Sequence, residues 1–223
     1  MEYITACAEQ RGEREASLLL EQYLCRSVPV CFACLCNGAL TVRLDGESYL
    51  QREKAGKAEK AAARYITGRL RLWCRGFPWQ KAVKRPEKWL KRAEGELKNL
   101  MCRSMEEVRS GLPGQETGLR WGILLAVGRE VFAMSGGQEF SLLRLSLGKG
   151  TVTRLEGNFR GCLEPGAGIL LATEGLSGEA SFLSGIRTEE QAGKRLRELL
   201  KRTGETESGM AAVLLAAKEE GDE

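Results

Sequence analysis

The feature that most constrains this chain is a double switch in the period of its apolar residues. Residues 3–42 show short alternating or continuous apolar runs, the pattern of strands. From about residue 51 to 107 the apolar positions recur at helical spacing, and beyond Gly111-Leu112-Pro113-Gly114 the strand pattern returns. Helices segregated between two blocks of hairpins do not make alternating β-α-β units. They stack on antiparallel sheets, so the expected class is α+β and layered.

Within the first block, residues 3–8 alternate, Gln10-Arg11-Gly12-Glu13 is a polar turn, and residues 17–25 form a second apolar run. Residues 28–36 (VPVCFACLC) read as a buried strand that stops at Asn37-Gly38, a dipeptide favouring a tight turn. A short hairpin is expected around Asp45-Gly46. The first helix, 51–73, carries Ala58, Ala62, Tyr65, Ile66, Leu70 and Trp73 and is broken by Gly76-Phe77-Pro78. The second follows Arg85-Pro86 and carries Trp89, Leu90, Ala93, Leu97, Leu100 and Met101 on one face. Hairpins are predicted for 121–127 with 130–134 and for 140–147 with 151–155, then a buried strand over 168–173. Residues 188–202 form a helix with Thr188 and Gln191 in capping-box register, 210–217 form a last strand, and an acidic tail covers 218–223.

Two near-absences exclude much chemistry. The chain has no histidine, and its only aspartates are Asp45 and Asp222. That removes histidine-based triads, histidine zinc sites and aspartate-rich sites for magnesium, manganese or calcium. The eight cysteines fall at 7, 25, 31, 34, 36, 74, 102 and 162 without a short secreted framework around them, which fits reduced thiols. On a strand Cys34 and Cys36 share one face and Cys31 takes the other, so the three do not converge on a metal and read as buried core. The start Met1-Glu2-Tyr3 has no leader pattern, and the longest uncharged stretch, 27–42, is too short for a bilayer. A soluble, cytoplasmic protein is expected.

Charge is polarised along the chain. Residues 52–103 hold sixteen Lys/Arg against five Glu, interleaved with Trp73, Trp79 and Trp89. This surface is either a solvated face over an apolar stripe or a dock for something acidic. Lys84, Lys88 and Lys91 are the contact candidates. No nucleic-acid motif accompanies them, so an acidic or phosphorylated protein is the preferred partner over nucleic acid, and no membrane partner is expected.

Five local patterns occur in a meaningful order. An apolar strand, 31–36, ends in Asn37-Gly38; Gly118-Leu119-Arg120-Trp121 leads into 123–127; Gly136-Gly137-Gln138-Glu139 follows Val131-Phe132-Ala133. Leu170-Leu171-Ala172-Thr173-Glu174-Gly175-Leu176 and Ser208-Gly209-Met210-Ala211-Ala212-Val213 complete the series. Over nearly the whole chain these resemble the motifs of the metal-dependent (type 2C, PPM-type) protein phosphatase family. There the corresponding segments are a strand ending in Asp-Gly, a Gly-Thr-Thr-Ala strand start, a Gly-Asp-Ser-Arg hairpin, Leu-Leu-Ser-Asp-Gly-Leu, and a terminal Asp-Asp/Asn-Met-Thr-Ala-Val. The resemblance implies one domain over 1–223, a β-sandwich of antiparallel sheets flanked by helices.

In that family aspartates and a glycine carbonyl hold two divalent cations that activate water against a phosphate. Here the matching positions are Asn37, Gly38, Glu174, Ser208 and Gly209, and Arg14 stands loosely for a phosphate-binding arginine. Only Gly38 and Glu174 could still contribute, and Glu174 is a methylene too long for an aspartate's place or else a plain loop carboxylate. Gly136-Gly137 lacks the lysine and helix of a phosphate loop and reads as a tight turn. The expected function is a catalytically impaired, regulatory domain with no catalytic residues and no cofactor. The alternatives are a weak serine/threonine phosphatase using manganese or magnesium, and an α+β protein whose basic helices bind nucleic acid.

Overall fold

The structure, a computed structural model, describes residues 2–10, 17–40, 48–111, 117–136, 141–155, 157–172, 180–202 and 210–218. Three strands open the chain: β1 (Tyr3–Gln10), β2 (Ser17–Cys25) and β3 (Val28–Leu40). The helical block is α1 (Ser48–Gly76), a single turn α2 (Trp79–Ala82) and α3 (Pro86–Gly111). Strands β4 (Thr117–Val127), β5 (Glu130–Gly136), β6 (Ser141–Ser146), β7 (Thr151–Arg154), β8 (Asn158–Cys162) and β9 (Ala167–Ala172) follow. A 3₁₀ turn (Ala180–Leu183), α4 (Glu189–Arg202) and β10 (Met210–Ala217) complete the order.

The strands form two antiparallel five-stranded sheets, β1-β10-β9-β6-β7 and β2-β3-β4-β5-β8. Three apolar clusters separate four layers. Between α1/α3 and the second sheet lie Ile66, Leu70, Leu97 and Met101 with Phe32, Cys34, Cys36, Ile123 and Phe132. Between the sheets lie Cys31, Ala33, Leu35, Leu124, Ala133, Ile169 and Leu215. Between the first sheet and α4 lie Ile4, Leu143, Leu170, Leu196, Leu199 and Leu214. This is the α-β-β-α sandwich the sequence implied.

The layering explains the odd sequence of β3. Residues 31 to 36 are all fully buried because helices cover one face and the other sheet covers the opposite one. A strand covered on both sides reads as a continuous apolar run instead of an alternating one. Cys34 and Cys36 join the helix-side cluster and Cys31 the inter-sheet cluster, as the alternation required. Burial keeps these thiols protonated, with Cys31 and Cys36 pushed up to about 12.

Local chemistry sets the helix ends. Pro86 takes the first position of α3, where its missing N–H costs nothing. Thr188 Oγ1 accepts from the Gln191 amide at 3.2 Å, and Gln191 Oε1 accepts from the Arg187 amide at 3.0 Å. The box therefore closes one residue earlier than the usual reciprocal pair.

Three expectations need correction. Asn37-Gly38 is no turn: β3 runs through it to Leu40, paired without a break down to Leu40↔Thr117. A continuous ladder with β4 holds the backbone extended along that stretch and outweighs a dipeptide's turn preference. The break after α1 contains an extra helical turn, Trp79–Ala82, centred on a buried indole. Strand β8 was not expected; its half-exposed edge position and central Arg160-Gly161 gave it little apolar pattern. The hairpin proposed at Asp45-Gly46 lies outside the described residues.

Candidate site at one end of the sandwich

Connectivity brings to one end the strand ends that flank the sequence-predicted positions. In the second sheet that end is marked by the start of β2 opposite Cys36, by Asn37-Gly38, by the start of β4 and by Gly136 opposite Trp121. In the first sheet it is marked by Gln10↔Met210, Ala212↔Ala172 and Ser141↔Ala172. The short connections 11–16 and 137–140 each join one sheet to the other there, so the two sets of strand ends share one mouth. Segment 11–16 carries Arg14, segment 173–179 leaves this end of β9 with Glu174, and 203–209 enters β10 with Ser208 and Gly209. Those four residues lie outside the described residues, as does the Gly137 half of the glycine pair. Gly136 itself belongs to β5.

Backbone register shows what faces Asn37. It pairs with Arg120. By alternation from Leu124 and Ala126, Arg120 sits on the face of β4 that looks at the other sheet. Its side chain is half-buried and Nη1 is fully so. Trp121 takes the opposite face, packed against the helix-side cluster, with its ring lying over Gly136. An added Cβ on Gly136 would come within 2.5 Å of that ring. Arg120 was not singled out by sequence reasoning as a site residue. The apolar alternation of 122–127, carried back two residues, would have placed it beside Asn37.

Among the described residues no group of three or more His, Cys, Asp or Glu could hold a metal. Where a dication would need anionic oxygens, the β3–β4 pair at this mouth offers an amide residue's position and a guanidinium. That pair supplies no anionic ligand for a divalent cation.

The basic face is separate from this mouth. Lys84, Lys88 and Lys91 are exposed on the α2–α3 turn and the first turns of α3, and none of them forms an ion pair among the described residues. Neighbouring charges are partly matched: Arg92 pairs with Glu96 at 2.7 Å, Lys98 with Glu94 at 2.6 Å, and Arg69 with Glu107 at 2.8 Å.

No family model matches the sequence, and no curated protein is similar to it in sequence. Solved structures are similar in fold. The catalytic domain of the serine/threonine protein phosphatase PstP, solved with two manganese ions, superposes with a TM-score of 0.56 at 15% identity, covering 97% of this chain and 99% of that one. PstP is from Mycobacterium tuberculosis. The fold is that of the type 2C phosphatases. The S. agalactiae serine/threonine phosphatase gives a TM-score of 0.57 at 12% identity, covering 97% of this chain and 100% of that one. The type 2C domain with a regulatory fragment of the Bacillus subtilis cell-fate determinant SpoIIE gives 0.52 at 12%, covering 97% of this chain and 63% of that one. The type 2C fold is therefore present from β1 to β10, at identities where only the architecture is shared. No helix among the described residues is long and apolar enough to cross a membrane.

Proposed function

We propose that this chain is a degenerate type 2C domain that acts by binding protein and does not hydrolyse phosphate esters. The observation that carries the reading is the pairing of Asn37 with Arg120 at one end of the sandwich. An amide in place of a carboxylate loses a negative ligand, and a nearby guanidinium repels a dication, so two changes act in the same direction. Glu174, Ser208 and Gly209 are read as further lost ligands, and one carboxylate cannot hold two dications. Arg14 remains a candidate contact for a phosphate on a bound partner. The basic face around Lys84, Lys88 and Lys91 is read as a steering surface for an acidic or phosphorylated protein, with cytoplasmic thiols kept reduced. All eight cysteines are free thiols, which suits that compartment.

The test is hydrolysis of a phosphothreonine peptide with manganese or magnesium supplied at millimolar concentration. The reading expects phosphate release no faster than in a heat-denatured control. Metal-dependent turnover would sink it and establish a weak phosphatase working through Glu174 and a single ion. Charge reversal at Lys84, Lys88 and Lys91 should slow partner association mainly at low salt, because exposed charges are screened over about 10 Å at 0.1 M.

A further inference from the structure

We propose that the opposite end of the sandwich carries a docking groove for an acidic peptide segment bearing one large apolar side chain. The proposal rests on the reading that this chain works by binding protein, and it names the chemistry of the bound segment. The groove, of about 450 Å³, lies between the end of β2 and the α1–α2 connection and is lined by Leu24, Cys25, Phe77, Pro78, Trp79 and Lys81. It is remote from Asn37: Cys25 pairs with Val28 at the closed end of the β2–β3 hairpin, while Ser17 pairs with Cys36 at the other.

Three independent features converge there. First, Leu24 is 72% exposed, the most exposed large apolar side chain among the described residues. Folding gains nothing from leaving it in water, whereas a partner's apolar group would cover it. Second, the floor is rigid. The Trp79 indole N–H donates to the Cys74 carbonyl at 3.0 Å, and Phe77 packs edge-on against Trp79 at 4.7 Å and tilted against Trp73 at 4.8 Å. A floor already fixed loses little side-chain freedom when something binds to it. Third, the hairpin turn beside Leu24 places two non-glycine residues, Arg26 at φ 52° and Ser27 at φ 63°, in the left-handed region. A two-residue hairpin requires that conformation at both central positions, so the turn fixes where Leu24 and Arg26 stand beside the groove.

Charge selects the occupant. Arg26, Arg75 and Lys81 are all exposed within two residues of the groove lining. They extend the basic excess of the helical block, sixteen cations against five carboxylates over 52–103. Glu21 is the acidic residue on the same strand, and it is half-buried. An acidic segment is drawn to this rim and a basic one repelled. A single protruding leucine is too little apolar surface to hold a bilayer, which needs a whole amphipathic face.

The probe is a fluorescein-labelled, capped twelve-residue peptide of glutamates around one Phe, read by polarisation on the full chain. Its all-glutamate counterpart carries the same or greater charge without the anchor. Wild type should bind the anchored peptide at least about tenfold more tightly than the all-glutamate one, the scale of a well-seated apolar contact. Leu24→Asp should remove most of that difference. Arg26→Glu with Lys81→Glu should weaken both peptides and flatten the salt dependence. All three positions are exposed, so unchanged melting temperatures confirm that the variants fold. In a nitrogen–proton spectrum the Trp79 indole resonance should shift with the anchored peptide and stay put in Leu24→Asp. Equal binding of the two peptides, or wild-type binding by Leu24→Asp, would overturn the proposal. So would a concentration-dependent dimer abolished by Leu24→Asp, which would assign the groove to a second copy. Failure of the underlying reading shows separately, as metal-dependent phosphatase activity that Leu24→Asp leaves unaltered.

Discussion

Replacing Gly136 by alanine probes the packing of the candidate mouth without touching a charged group. Gly136 and Trp121 are direct cross-strand partners, and the indole lies over the glycine backbone. The new methyl carbon would sit 2.5 Å from Trp121 Cε2 and Cζ2 and 2.7 Å from Nε1. Ordinary contact needs about 3.4–4 Å, so the ring must retreat by roughly 1 Å, and overpacking of this kind costs ~1–3 kcal/mol. Trp121 is half-exposed and can swing toward solvent, which puts the expected loss at the lower half of that range. Urea unfolding should show a lower midpoint at unchanged slope, and the melting temperature should fall by about 2–4 °C per kcal/mol for a domain of this size. Shrinking the partner should relieve the clash. In a cycle with Trp121→Leu, the coupling between the two positions should reach at least about 1 kcal/mol. A loss below ~0.3 kcal/mol, or strict additivity in the cycle, would refute the placement of the indole over this strand end.

Four more outcomes follow from the same structure. Thiol labelling of the native chain should reach exposed Cys7 and Cys102 quickly and leave Cys31, Cys34 and Cys36 untouched until urea unfolds the domain. Burial raises the folded pKa of Cys31, Cys36 and Cys74 from 9.0 to about 12, and Cys34 moves in the same direction. Above pH 9 the unfolded thiols lose protons that the folded ones keep, so stability should fall as pH rises from about 9 toward 12; a urea midpoint equal at pH 8 and pH 10.5 would contradict this. Ser27→Gly should raise stability by ~1 kcal/mol in urea unfolding, because it relieves a left-handed residue while keeping Arg26. The triple variant Asn37→Asp, Glu174→Asp and Gly209→Asp should gain a manganese-dependent rise in melting temperature with little phosphate release, since supporting residues such as Arg120 are unchanged.

Much of the architecture was legible because each layer leaves its own period in the sequence. The stripe Ile66, Leu70 and Leu97, Met101 predicted the helix layer, and the apolar run 28–36 predicted a buried strand, which is fully buried from Val30 to Cys36. The split of Cys31 from Cys34 and Cys36 followed from strand alternation alone. What failed was local chemistry judged without its neighbours. Asn37-Gly38 favours a turn in isolation, but a partner strand more than eighty residues away pairs it into β3. Arg120 was passed over for a related reason: it sits among residues read as strand start, and its meaning depends on facing Asn37 across the ladder. Lys88 and Lys91 were legible as exposed, because charge on the outer stripe of an amphipathic helix has nowhere else to go, and Lys84 sits in the polar turn before it.

The most direct test of a fold kept and a metal site lost is a manganese titration followed by electron paramagnetic resonance, in which the six-line signal of the free aqueous ion disappears on binding. With the chain in excess over the ion at neutral pH, the full free-ion signal should remain, as in buffer alone. Loss of that signal with a stoichiometry approaching two ions per chain would contradict the account and restore the chain to the working phosphatases whose fold it shares.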